Sequence, residues 1–121
     1  MNKEFTPYDI ALELKQLGFD EPCFGWYVSK DYGVEIGMVI KSDLIKEAIL
    51  APTFSQSFRF FREKYGLFAE IKPYLIVGTD WWYKISDRNN SSGLPYEVEF
   101  KTYEEAELAC LRKLIEIVKT K

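Results

Sequence analysis

The feature that most constrains this chain is its last helix. Thr102 stands where a helix N-cap belongs and Glu105 completes a capping box three residues on. Acidic Glu104, Glu105 and Glu107 come first and basic Arg112, Lys113 and Lys119 come later, the order a helix dipole favours. Tyr103, Ala106, Cys110, Leu114, Ile117 and Val118 repeat at helical spacing, and Leu108, Leu111 and Ile115 widen the stripe past half the circumference. Such a helix must bury its apolar side, either packed on two sides by a covering layer from the rest of the chain or as part of a self-association surface.

That layer reads as strands. Phe24, Trp26 and Val28 alternate with Gly25, Tyr27 and Ser29, and Val34, Ile36, Met38 and Ile40 alternate with Glu35, Gly37, Val39 and Lys41. Asp31-Tyr32-Gly33 joins the two as a hairpin loop. Further strands are predicted over 67–77, 81–85 and 96–101, with Pro73 interrupting the first. Gly78-Thr79-Asp80 reads as a tight connection and 87–93 as a polar loop.

Two earlier helices are punctuated as well. Thr6 and Pro7 open one over 7–17, Ile10, Leu14 and Leu17 form its stripe, and Gly18 closes it. Thr53 and Gln56 form a capping box for another, on which Phe54, Phe58, Phe61 and Tyr65 make the predicted apolar face. Between them, Ser42-Asp43 could cap a short helix running through Ile49. The order α-β-β-α-β-β-β-α implies an α+β fold, with a mostly antiparallel sheet of about five strands and helices packed on one face. One domain, 1–121, is expected at this length.

Composition bears on function chiefly by subtraction. The chain has no histidine, so a His-based triad, proton relay or His-ligated metal is unavailable from its own side chains. Its two cysteines, Cys23 and Cys110, form no CxxC pair and sit in apolar contexts that suit packing. Glycines are scattered singly, without a phosphate loop, and no Asp-rich calcium loop occurs. Glu97 and Glu99 share a strand face but alternate with Tyr96, Val98 and Phe100 as a half-exposed strand would. The expectation is a non-enzymatic protein with no cofactor and no metal. Neither a signal peptide nor a membrane-spanning run is found, so a cytoplasmic setting without membrane association is expected.

Two features could serve binding. Arg59 and Arg62 share one face of the 54–65 helix and could receive phosphate or an acidic partner, although a solvated amphipathic face would look the same. Trp81-Trp82-Tyr83 on a strand sends Trp82 opposite to Trp81 and Tyr83, so one tryptophan faces away from the core unless a further layer covers it. Aromatic residues make up 17% of the chain, enough to fill a core and still supply a binding surface. The net charge of −3 argues against a general nucleic-acid binder. Residues 52–94 nevertheless carry 6 basic and 4 acidic side chains, against 5 and 9 in the first 51.

Three stretches carry a resemblance. They are Leu17-Gly18-Phe19-Asp20-Glu21-Pro22-Cys23-Phe24-Gly25, then Ala51-Pro52-Thr53 with Phe58-Arg59-Phe60-Phe61-Arg62-Glu63-Lys64-Tyr65-Gly66-Leu67, and the terminal helix Thr102 to Val118. Together they resemble a group of small uncharacterised proteins of Bacteroides-type gut bacteria, their phages and mobile elements. The resemblance implies a phage- or mobile-element accessory protein and assigns no catalytic residue. The leading expectation is therefore a macromolecule-binding module with an unknown protein partner. A nucleic-acid-associated module using Arg59, Arg62 and an exposed Trp is one alternative. A small-ligand sequestering protein with an aromatic pocket is another. A homodimer would close the wide stripe of the last helix and the face bearing Trp82.

Overall fold

A computed structural model describes residues 2–40, 48–74, 80–88 and 96–120. Within the span 1–121, the backbone falls into two compact units, 1–57 and 58–121. The fold is α+β with antiparallel sheets. Among the described residues, two three-stranded sheets stand in place of the single sheet of about five strands.

The first unit holds α1 (Tyr8–Gln16), β1 (Cys23–Tyr27), β2 (Glu35–Ile40) and β3 (Ile49–Ala51). Its strands lie in the order β2-β1-β3, with the first strand central. The predicted short helix through Ile49 is corrected at its end, because 49–51 pairs with β1 as a strand, Tyr27 opposite Ile49 and Gly25 opposite Ala51. Positions 42–47 of that helix lie outside the described residues. Helix α1 packs on β3, and Phe5, Ala11, Tyr27, Ile49 and Ala51 form one apolar cluster.

Local punctuation explains the far end of α1 but not its start. Gly18 takes φ 95°, and the amides of Gly18 and Phe19 donate to the carbonyls of Lys15 and Leu14 at 3.0 Å each, which is the Schellman closure glycine permits. At the near end Pro7 occupies the cap position and no side chain caps the helix. Thr6 is instead held by its backbone. Its amide donates to the Pro52 carbonyl at 2.9 Å, and its carbonyl accepts from the Tyr27 hydroxyl at 2.7 Å.

Helix α2 (Phe54–Tyr65) begins at the expected capping box. The Gln56 amide donates to Thr53 Oγ1 at 3.2 Å and the Thr53 amide donates to Gln56 Oε1 at 3.1 Å. Its buried stripe is rotated from the predicted one. Ser57, Phe60 and Phe61 are buried, whereas Phe54, Phe58 and Tyr65 are only half-buried.

After α2 come β4 (Leu67–Tyr74), β5 (Asp80–Asp87), β6 (Tyr96–Phe100) and α3 (Tyr103–Lys119). The three strands form a meander in the order β4-β5-β6. The two sheets thus follow similar runs of elements with different strand orders. The strand tail 75–77, most of the 78–80 connection and the greater part of the 87–93 loop lie outside the described residues. Helix α3 packs on β4, β5 and β6, and its Ala106, Cys110, Leu111, Leu114 and Ile115 are buried. Thr102 Oγ1 accepts from the Glu105 amide at 3.1 Å, so the expected cap is made.

Candidate binding face

The β4–β5 register decides which side chains share a surface. Lys72 lies opposite Trp82, Glu70 opposite Lys84 and Phe68 opposite Ser86. Alternation puts this set on one face, and puts Ala69, Ile71, Tyr83, Ile85 and Trp81 on the other. The second set is the side that meets α3. Tyr83 and Ile85 are buried there, and the Trp81 ring meets the Tyr103 ring edge-on at 5.3 Å between centroids.

The first set faces away from α3 and combines rings with cations. Lys72 Nζ sits 5.8 Å from the Trp82 ring centroid. Arg88, just beyond β5, places its guanidinium carbon 5.3 Å from the Phe68 ring centroid. The backbone fixes this second pair, because the Arg88 amide donates to the Gly66 carbonyl at 2.9 Å and Gly66 itself takes φ 68°. Glu70 Oε2 lies 3.3 Å from Lys72 Nζ. Both side chains are about half exposed, and such a pair contributes little to stability. Phe68 and Trp82 are half-buried, while Lys84 and Arg88 are exposed. The described side chains of this face, which at its far end include Tyr74 and Asp80, carry three cations and two anions, with Asp80 paired to Lys101 Nζ at 3.1 Å.

The four residues singled out from the sequence do not form one patch. Trp82 belongs to the face just described. Trp81 points to the α3 side, as the strand alternation required. Arg59 and Arg62 are exposed on α2. Sequence reasoning missed Phe68, Lys72, Lys84 and Arg88, which join Trp82 only once the hairpin register is known. The nearest signal was the run Phe68-Ala69-Glu70-Ile71-Lys72, whose alternation marks Phe68, Glu70 and Lys72 as one side of a strand.

Other surfaces carry different chemistry. A cavity of about 330 Å³ lies in the first unit, lined by Ala11, Lys15, Gly18, Phe19, Asp20, Ala48 and Leu50. Among the described lining residues Phe19 is the one ring. On the first sheet and its hairpin, Phe24, Val28, Tyr32 and Ile36 are exposed. Both cysteines are free and buried. Burial pushes the Cys23 and Cys110 thiols up to about 12, helped by the Glu21 and Asp20 carboxylates at the first and by Glu107 at the second. They stay protonated at neutral pH, which removes thiolate nucleophilicity. Among the described residues no three acidic or cysteine side chains gather as a metal site, and no helix is long and apolar enough to cross a membrane. No family model, curated protein or solved structure matches the chain.

Proposed function

We propose that the chain is a non-enzymatic macromolecule-binding module that works through the outward face of β4–β5. One observation carries this reading. That face sets the half-buried rings of Phe68 and Trp82 beside Arg88 and Lys72, with Lys84 exposed next to them. A face given over to solvent has no need of tryptophan, whereas a ring with one side on the sheet offers contact area at small entropic cost. The buried, protonated thiols agree with a role in binding rather than covalent chemistry. In the setting implied by the resemblance, the module is an accessory protein of a phage or mobile element acting on a macromolecule of its host or its own replicon.

The test is a capture experiment with the full chain as bait. Wild type is compared with the Lys72→Glu/Lys84→Glu variant, which reverses the charge of the face at two exposed positions. A partner held by wild type and lost by the variant supports the reading. A partner held equally by both places the binding surface elsewhere and overturns it.

A further inference from the structure

We infer that the outward face of β4–β5 takes single-stranded nucleic acid. The inference rests on the reading that this face is the protein's binding surface, and it names the class of occupant. Two rings of the face each have a cation beside them, Trp82 with Lys72 and Phe68 with Arg88. A single strand presents the matching alternation, a base that stacks and a phosphate that accepts hydrogen bonds. A protein partner could use the rings as anchors too, but the placing of a cation beside a ring at two successive points along the strand is what a chain of alternating base and phosphate would use.

Strand geometry sets the spacing. Trp82 lies opposite Lys72 and Ser86 opposite Phe68, so the two rings stand four residues apart along the strand direction. At a rise of ~3.4 Å per residue that is about 14 Å, too far for both rings to stack on one base. A strand laid along β4 would meet Trp82 and Phe68 with different bases, with Lys72 beside the first ring, Lys84 between the two and Arg88 beyond the second to meet its phosphates. Rings seated on a sheet cannot reach bases stacked inside a duplex, which selects the single-stranded form. The attraction is local, since the first turn of α3 carries Glu104 and Glu105 and the whole chain is acidic. Lys72 already stands between Trp82 and Glu70. A phosphate that draws it from Glu70 therefore leaves the cation beside the ring that stacks.

The experiment is fluorescence anisotropy of the full chain with labelled oligo-dT and oligo-U, a duplex of equal length, and an abasic strand of equal length. Single strands are expected to bind, and the stronger of the two tells DNA from RNA. Three phosphate-facing cations give a log–log salt slope of about −2, and Lys84→Ala flattens it by roughly 0.7. Trp82→Ala weakens binding at least about fivefold, as for loss of one stacked base, and Trp82→Phe restores most of it. Lys30→Ala, in the first unit, changes nothing. Far-UV circular dichroism of each variant confirms folding, and the exposed Lys84 site keeps the test valid if Trp82→Ala unfolds. Abasic or duplex DNA binding as tightly as oligo-dT overturns the inference. No binding of any strand at low salt also overturns it, while the capture experiment separately tells whether the face binds a protein. Strand binding that ignores both Trp82→Ala and Lys84→Ala overturns the inference and the reading beneath it together.

Discussion

Gly25 sits in the central strand of the first sheet, between Ile36 on β2 and Ala51 on β3. A β-carbon there would lie 2.7 and 2.8 Å from two ring carbons of Phe5 and 3.0 Å from Val34 Cγ2. The backbone at Gly25 is not left-handed, so alanine fits the strand and contact alone decides the outcome. Phe5 cannot easily retreat. Its ring is 7% exposed within the apolar cluster, and its backbone bridges to Thr53. Overpacking of this kind costs about 1–3 kcal/mol, against a gain of roughly 0.5–1 kcal/mol from replacing glycine in a strand. Gly25→Ala should therefore lose about 1–2 kcal/mol. Trp26 is the first unit's one tryptophan, so its fluorescence in a Trp81→Phe/Trp82→Phe background follows that unit through urea unfolding. With a slope of about 1–3 kcal/mol per molar urea, a loss of ~2 kcal/mol lowers the midpoint by roughly 0.7–2 M. Phe5→Leu removes the opposing ring carbons, so Gly25→Ala should cost at least about 1 kcal/mol less in that background. An unchanged or raised midpoint, or the same loss with Leu at position 5, would refute the contact argument.

Three further outcomes follow from packing, titration and capping. Phe61→Ala should cost about 3–5 kcal/mol in chemical unfolding, because Phe61 is fully buried; half-buried Phe58 should cost clearly less, and equal losses would contradict the rotated stripe of α2. The native Cys23 and Cys110 thiols titrate near 12, against 9.0 for an ordinary thiol. Between those values the unfolded chain releases protons that the native chain keeps, so stability is full below pH 9 and falls as pH rises, by up to about 1.4 kcal/mol per pH unit per thiol. Urea midpoints at pH 8 and pH 10.5 should show the drop, and Cys110→Ala should shrink it; a pH-independent midpoint would count against burial of the thiols. Thr102→Ala removes the side-chain acceptor of the Glu105 amide and should lower stability by about 1 kcal/mol, with Thr102→Ser recovering most of it in thermal melts.

What the sequence made legible was local. The Thr53–Gln56 box, the Gly18 closure and the Thr102 cap are each made within a few residues, so short-range chemistry is enough to place them. The Thr6 cap failed because distant groups claimed that residue. Pro52 and Tyr27 hold its backbone, and the helix begins one residue later than the cap would set. The α2 stripe was misread because Ser57, small and polar, does not announce burial. Its hydroxyl donates to the Thr53 carbonyl at 2.9 Å, which removes the cost of hiding it and lets Ser57, Phe60 and Phe61 turn inward together.

The candidate face shows where local reading stops. Alternation alone separates Trp82 from Trp81 and Tyr83, and that much held. Which partners Trp82 meets depends on the pairing of two strands, and a slip of one residue would put Trp81 opposite Lys72 and change every neighbour on the face. Pairing Leu67 with Asp87 and Tyr74 with Asp80 fixes the register that the strands alone could not. It brings Lys72 to Trp82, and the turn at Gly66 brings Arg88 to Phe68. Arg59 and Arg62 looked like the basic component because they are adjacent on one helix. The cations beside the rings are instead scattered through the sequence at 72, 84 and 88. They gather only because a hairpin doubles the chain back on itself, and a charge count along the sequence cannot register that.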